Sequence, residues 1–84
     1  MNTIDLKEHV RRAIKRDWPA FASAHPRLAA VLDESLLVEQ ATQSLSQDPE
    51  FQHALHRAAA AGVIAEVLTD LVPRRVTAWL RALL

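Results

Sequence analysis

The stretch DPEFQHALHRAAAAGVIAEVL, residues 48–68, contains the strongest helix signals in the chain. Asp48 is a favoured cap residue, Pro49 suits the first helical position, and Glu50 places an acid in the first turn. The single glycine, Gly62, follows four alanines. It either lies inside one long helix, at a cost of about 1 kcal/mol relative to Ala, or ends a helix in the left-handed conformation. The sequence leaves both alternatives open.

The rest of the chain has the same helical character. Half of its 84 residues are hydrophobic, mostly Ala and Leu, and only four are aromatic. Ala and Leu are among the best helix formers, and runs of β-branched residues, which favour sheets, are absent. The length fits one domain. We therefore predict a single all-α domain over residues 1–84, a compact bundle of five to six short helices.

Proline is expected to end the first helix. Asn2 or Thr3 can cap this helix, and its apolar residues recur at spacings of three and four. Because the residue before a proline disfavours helical geometry, the helix should end or kink at Trp18, before Pro19. A short turn over residues 20–24 would follow.

The middle and last helices also have proline signals. Pro26 suits the first position of the second helix, and Asp33 can cap a further helix. Residues 26–47 therefore form either one helix or two, and Pro73 interrupts or restarts the last helix. Several aliphatic residues are assigned to the apolar stripes of this middle region: Leu28, Val31, Leu32, Leu36, Leu37 and Leu45.

Composition removes several classes of function. The chain has no cysteine, which excludes disulfides, thiolate metal sites and cysteine nucleophiles. No stretch approaches the roughly 18 apolar residues of a membrane span, and the N-terminal residues lack the apolar core of a secretory signal. The four histidines form no pattern of nucleophile, base and orienting group. We predict a cytoplasmic protein that is not an enzyme and needs no cofactor.

A possible metal motif occurs in the fourth helix. Glu50 and His53 form a Glu-x-x-His, with His56 three residues later. This is a quarter of the ligand set of a carboxylate di-iron bundle, and the chain has no second copy of it. Only a metal-binding dimer would complete the set, so we assign no metal ligand and interpret these residues as a polar helix face.

Asp33-Glu34-Ser35-Leu36, at the start of a predicted helix, resembles the modification site of acyl carrier proteins. In that family the Ser of an Asp-Ser-Leu motif carries the phosphopantetheine arm, so the resemblance implies a helical carrier modified on Ser35. Here Glu34 separates Asp33 from Ser35, no glycine precedes them, and the formal net charge is zero. An ordinary helix cap at Asp33 or Ser35 explains the same residues.

Charge is unevenly distributed along the chain. Residues 1–16 contain five basic and two acidic residues, whereas residues 33–50 contain five acidic and no basic ones. Phosphate binding needs local positive potential, so a nucleic-acid-binding regulator is the alternative function. The zero net charge disfavours it, because nucleic-acid domains are usually basic overall. The basic face of the first helix comprises Lys7, Arg11, Arg12, Lys15 and Arg16.

Three arginines near the C-terminus complete the set of candidate residues: Arg74, Arg75 and Arg81. The first two would lie at the start of the last helix, where the helix dipole disfavours cations. They should therefore pair with acids, either Asp70 four residues earlier or the acidic segment 33–50 of the same or a second copy. The segment VPRRVTAWLRALL, residues 72–84, also has the pattern of a helix that lies on an anionic membrane, but it is short, and a core helix explains it equally well.

The preferred function is a small protein–protein interaction module. Ala54, Ala58 and Gly62 recur every four residues, and such a row of small residues lets another helix approach closely. Separate basic and acidic blocks favour oriented docking. We predict that these small residues and the three C-terminal arginines form an interface with a protein partner, either a second copy of the chain or the target of an adaptor.

Overall fold

The computed structural model describes residues 6–83, and in this range it contains five α-helices and no strand. The prediction of an all-α bundle is confirmed. The possible caps Asn2 and Thr3 lie outside the described residues, as does Leu84. The helices are α1 (Leu6–Ala24), α2 (Pro26–Val31), α3 (Glu34–Ser46), α4 (Pro49–Ala61) and α5 (Ile64–Ala82).

The two longest helices, α1 and α5, form the centre of the bundle. Residues 9–16 of α1 line a groove with residues 69–73 of α5. Residues 16–24 line another with residues 77–81, so the two helices run in the same direction. Helix α3 packs on α1, α4 and α5, and α4 packs on α3 and α5. Helix α2 packs on α1 alone and has no buried residue.

Four of the helices contribute to one core. Its α5 members recur every four residues, which matches one face of an α-helix. The members of α3 also lie on one face, and α4 contributes a single large side chain. The core comprises Val10, Ala13, Ile14, Leu37, Val38, Ala41, Leu45, Phe51, Leu68, Val72, Val76 and Leu80.

The predicted end of the first helix at Trp18 is wrong. Helix α1 continues through Pro19 to Ala24, so residues 20–24 are helical and do not form a separate turn. Pro19 removes the N–H that would bond to the carbonyl of Lys15. Both residues lie on the exposed side of α1, where water can bond to that carbonyl. Trp18 and Phe21, on either side of Pro19, pack against the core and favour a continuous helix.

Helix α5 likewise runs through its proline. Of the alternatives for Pro73, interruption or restart, the structure shows neither, because Ile64–Ala82 is one helix. The carbonyl that loses its partner belongs to Thr69, which is exposed. Val72 and Val76, on both sides of the proline, are fully buried. Their packing favours helical geometry despite the roughly 3 kcal/mol cost of an interior proline.

The cap residues act as the sequence predicts. Residues 26–47 form two helices, and Asp33 Oδ1 accepts a hydrogen bond from the Ser35 N–H at 2.9 Å to start α3. Asp48 Oδ1 accepts one from the Glu50 N–H at 3.0 Å to start α4. The predicted helix start at Pro26 is also confirmed.

Gly62 ends α4. Its φ of 73° is in the left-handed region, which is accessible to glycine without steric cost. The Gly62 N–H donates to the Ala59 carbonyl at 3.2 Å, and the Val63 N–H donates to the Ala58 carbonyl at 2.9 Å. These two bonds define a Schellman motif. Of the two alternatives for Gly62, the structure therefore shows a helix end.

Candidate interaction site

We expected Ala54, Ala58 and Gly62 to form a row along one helix, but only Ala54 and Ala58 lie in α4. Gly62 lies beyond the end of α4, and within the described chain no neighbouring element lies within 4 Å of the position its Cβ would take. Ala58 is only 4% exposed, in a helix that packs on α3 and α5. Ala54 is partly buried. The fold itself thus covers Ala58, and no helix of this chain closely approaches Gly62.

Arg74 and Arg75 lie in the interior of α5, which corrects their expected position at a helix start, and Arg81 lies in its last turn. Because α5 begins at Ile64, the unfavourable dipole interaction does not arise. Arg74 pairs with Asp70 at 3.1 Å, one turn earlier on the exposed surface. Arg75 Nη1 donates to Asp48 Oδ2, also at 3.1 Å. The acidic segment 33–50 of the same chain therefore supplies the partner of Arg75.

The basic face of α1 is largely paired with acids. Lys7 bonds to Glu39 of α3, and Glu8 pairs with both Arg11 and Arg12. The bond and charge of Lys7 lower the pKa of Glu39 below its usual value. These pairs reduce the local positive potential that phosphate binding requires.

Two further residues of this face differ in their partners. Arg16 Nε lies 3.1 Å from Asp17 Oδ1. Lys15 is exposed and has no acidic partner within 4 Å among the residues that the structure describes. Of the five cations of this face, Lys15 alone has no acidic partner within residues 6–83.

Helices α1 and α5 border an open groove of about 410 Å³. We call it the α1–α5 groove. Thr77 joins its two walls by donating a hydrogen bond to Asp17 Oδ2 at 2.7 Å. The ring of Phe21 stacks on Trp18, with centroids 5.6 Å apart, and lies 5.3 Å from the ring of His25. The groove is lined by Arg16, Asp17, Ala20, Phe21, Ala24, His25, Thr77, Leu80 and Arg81.

Among residues 6–83, the rim of this groove carries one arginine without an acidic partner. Asp17 is occupied by Arg16 and by the hydroxyl of Thr77. Arg81 is exposed, and no acidic group of residues 6–83 lies within 4 Å of it. The groove therefore combines apolar walls with a guanidinium that can accept a carboxylate from outside the chain.

Among the described residues, the large aliphatic side chains with the highest exposed fractions lie where α2 meets α3. Val31, the last residue of α2, is 79% exposed, and Leu36, in the first turn of α3, is 52% exposed. The two residues are five positions apart in the chain, on either side of the short connection between α2 and α3. We call the residues Val31, Leu32, Asp33 and Leu36 the α2–α3 corner.

The expected place of Val31 in the apolar stripe of the second helix is wrong, and Leu36, on the helix that Asp33 caps, is also exposed. For Leu36 the helical period contains the missing signal. The buried face of α3 is formed by Leu37, Val38, Ala41 and Leu45. At 100° per residue, Leu36 lies roughly 155° around the helix from the centre of this set, and so on its far side.

The structure also locates the residues of the other sequence motifs. Glu50, His53 and His56 are all exposed. Residues 6–83 contain no group of three or more His, Asp or Glu side chains that could hold a metal ion. Ser35 is exposed in the first turn of α3. Over the described range, every helix is too short or too polar to span a membrane.

We compared the chain with protein-family models, with curated proteins and with solved structures. None of the three comparisons found a match.

Proposed function

We propose that this protein is a non-enzymatic interaction module that self-associates through its α2–α3 corner. One observation carries the proposal, the exposure of Val31 and Leu36. Covering these two aliphatic side chains with a partner would remove their apolar surface from water, which is favourable.

Charge supports a second copy as the partner. The formal net charge is zero, so two copies approach each other without net repulsion. Two ion pairs between distant segments, Lys7 with Glu39 and Arg75 with Asp48, are made within the chain. These charges stabilise the fold and leave less segregated charge for docking. The association should therefore depend mainly on apolar burial and weaken little with added salt.

Sedimentation velocity over a wide concentration range tests the proposal. The wild type should shift from monomer to a larger species as concentration rises, and the double variant Val31→Gln/Leu36→Gln should remain monomeric. Val63→Gln is the matched control, because Val63 is an aliphatic residue, 36% exposed, in the separate α4–α5 connection. A wild type that is monomeric at every concentration would overturn the proposal, as would a double variant that associates like the wild type.

A further inference from the structure

We propose that the α2–α3 corner of one copy docks into the α1–α5 groove of another. This inference rests on the proposed function and identifies the surface that receives the corner. The exposed side chains of Val31 and Leu36 enter the groove, and Asp33 pairs with Arg81 of the second copy.

The two surfaces match in their apolar parts. Ala20 and Ala24 are exposed on the α1 side of the groove, where their short side chains leave its volume open. Phe21, which is partly buried, provides larger apolar surface, whereas Leu80 is only 3% exposed and belongs to the core. Val31 and Leu36 are the aliphatic residues of the described chain that most lack cover. Docking would remove apolar surface of both partners from water.

The two surfaces also match in charge. Asp33 is exposed, and only its Oδ1 is used, by the Ser35 N–H. Its Oδ2 has no hydrogen-bond or ion-pair partner among residues 6–83. Residues 28–56 contain no Lys or Arg, and the nearest cation along the chain is Arg27, one turn before Val31 on α2. Lys7 and Arg11, which line a pocket with Glu34 and Ser35, are already paired with Glu39 and Glu8. A carboxylate and a guanidinium that each lack a partner in the monomer can pair across the interface.

Within one chain, the α2–α3 corner does not occupy the α1–α5 groove. Helix α2 packs on α1 alone, and no residue of the α2–α3 corner lines the groove. Both surfaces are thus uncovered on the same molecule. A contact between two different surfaces is heterologous, so it closes as a dimer only if two reciprocal contacts form and otherwise continues into longer assemblies.

Mixing variants tests the heterologous contact directly. Ala20→Gln/Ala24→Gln fills the groove and leaves the corner intact, whereas Val31→Gln/Leu36→Gln alters the corner and leaves the groove intact. Each variant alone should be monomeric. Their mixture retains one intact contact, so fluorescence transfer between the two differently labelled variants should appear only on mixing. Ala60→Gln, at an exposed position of α4, is the control for adding a glutamine to a helix.

A second experiment alters the proposed pair of Asp33 with Arg81 and leaves the sequence of α1 unchanged. Asp33→Asn keeps a capping oxygen but removes the charge, since Asn caps helices as well as Asp. Asp33→Asn and Arg81→Gln should each weaken association about two- to fivefold, the range expected of an exposed ion pair. The double variant should be no weaker than either single variant.

The outcomes separate the inference from the proposed function. If the wild type associates and the corner variant does not, but the groove variant and Arg81→Gln associate like the wild type, the groove is not the receiving surface and only the inference fails. If the mixture of corner and groove variants shows no transfer, the inference also fails. If the wild type never associates, both proposals fail together.

Discussion

Two corners of the bundle share one local pattern but lie in opposite environments. Asp33 caps a helix whose third residue is Leu36, and Asp48 caps a helix whose third residue is Phe51. Each carboxylate accepts a bond from the backbone N–H two residues later, at 2.9 and 3.0 Å. Yet Leu36 is 52% exposed, whereas Phe51 is fully buried. The cap therefore determines where a helix begins without determining which residues it buries.

Tertiary contacts account for the difference. At the α3–α4 corner, Asp48 also pairs with Arg75 of α5, and α4 packs on both α3 and α5. At the α2–α3 corner, α2 packs on α1 alone. The first corner is held to the core by a third helix. The second corner exposes Val31 and Leu36, where our proposal places a second copy of the chain, although Leu32 packs against the core.

The largest expected effect on this contrast comes from truncating the third residue of α3 and the third residue of α4. Phe51→Ala should lower the free energy of unfolding by about 3–5 kcal/mol, because it leaves a cavity in the core. Leu36→Ala should lower it by less than about 0.5 kcal/mol, as expected of a surface position. Urea unfolding of dilute, monomeric protein measures both. If Phe51→Ala does not fold, Phe51→Leu provides a smaller step. Equal losses from Phe51→Ala and Leu36→Ala would show that the two corners do not differ.

The packing of α4 can also be tested by adding atoms. Ala58→Leu should cost about 1–3 kcal/mol through overpacking, since Ala58 is only 4% exposed. Ala59→Leu makes the same change at the next, exposed residue and should have little effect. Thermal unfolding compares the two variants. If Ala58→Leu is as stable as Ala59→Leu, the inner side of α4 is not tightly packed, and the contrast with the open α2–α3 corner weakens.

The two capping aspartates should differ by the extra ion pair of Asp48. Asp33→Ala and Asp48→Ala each remove a cap worth about 0.5–2 kcal/mol. Asp48→Ala should cost up to about 1 kcal/mol more, since it also removes the partner of Arg75. Urea unfolding in the Arg75→Gln background is the control, because the difference between the two aspartates should disappear there. If Asp48→Ala still costs more than Asp33→Ala in that background, the additional loss of stability does not come from the pair of Asp48 with Arg75.

The sequence predicts the helix starts because their chemistry lies within a few consecutive residues. Asp33, Asp48 and the prolines at positions 26 and 49 act as local patterns require. The predicted helix end before Pro19 and the predicted interruption or restart at Pro73 are wrong. A helix can continue through a proline when flanking side chains are packed and the unbonded carbonyl is exposed, which depends on tertiary structure.

The ion pairs described with the candidate site were also hard to predict from the sequence, because they too depend on tertiary structure. The pair of Lys7 with Glu39 joins residues 32 positions apart, and that of Arg75 with Asp48 joins residues 27 apart. No local pattern contains such partners. The exposure of Leu36 could have been read from the helical period. The predicted interface through Ala54, Gly62 and the α5 arginines stays a prediction, as does the nucleic-acid alternative.

The smallest expected effect concerns the ion pair between α1 and α3. The bond and charge of Lys7 lower the pKa of Glu39. This pair therefore adds stability above the unfolded-state pKa of about 4.3, and the contribution disappears as pH falls through the lower pKa of the folded state. Lys7→Gln should raise the pKa of Glu39 in an NMR titration of its carboxyl carbon and lower stability at neutral pH only. Lys15→Gln, which removes a lysine of α1 without an acidic partner in the described structure, should leave the Glu39 titration nearly unchanged. If Lys7→Gln leaves it unchanged as well, this ion pair does not form in solution, and the buried core shared by the two helices is what joins α3 to α1.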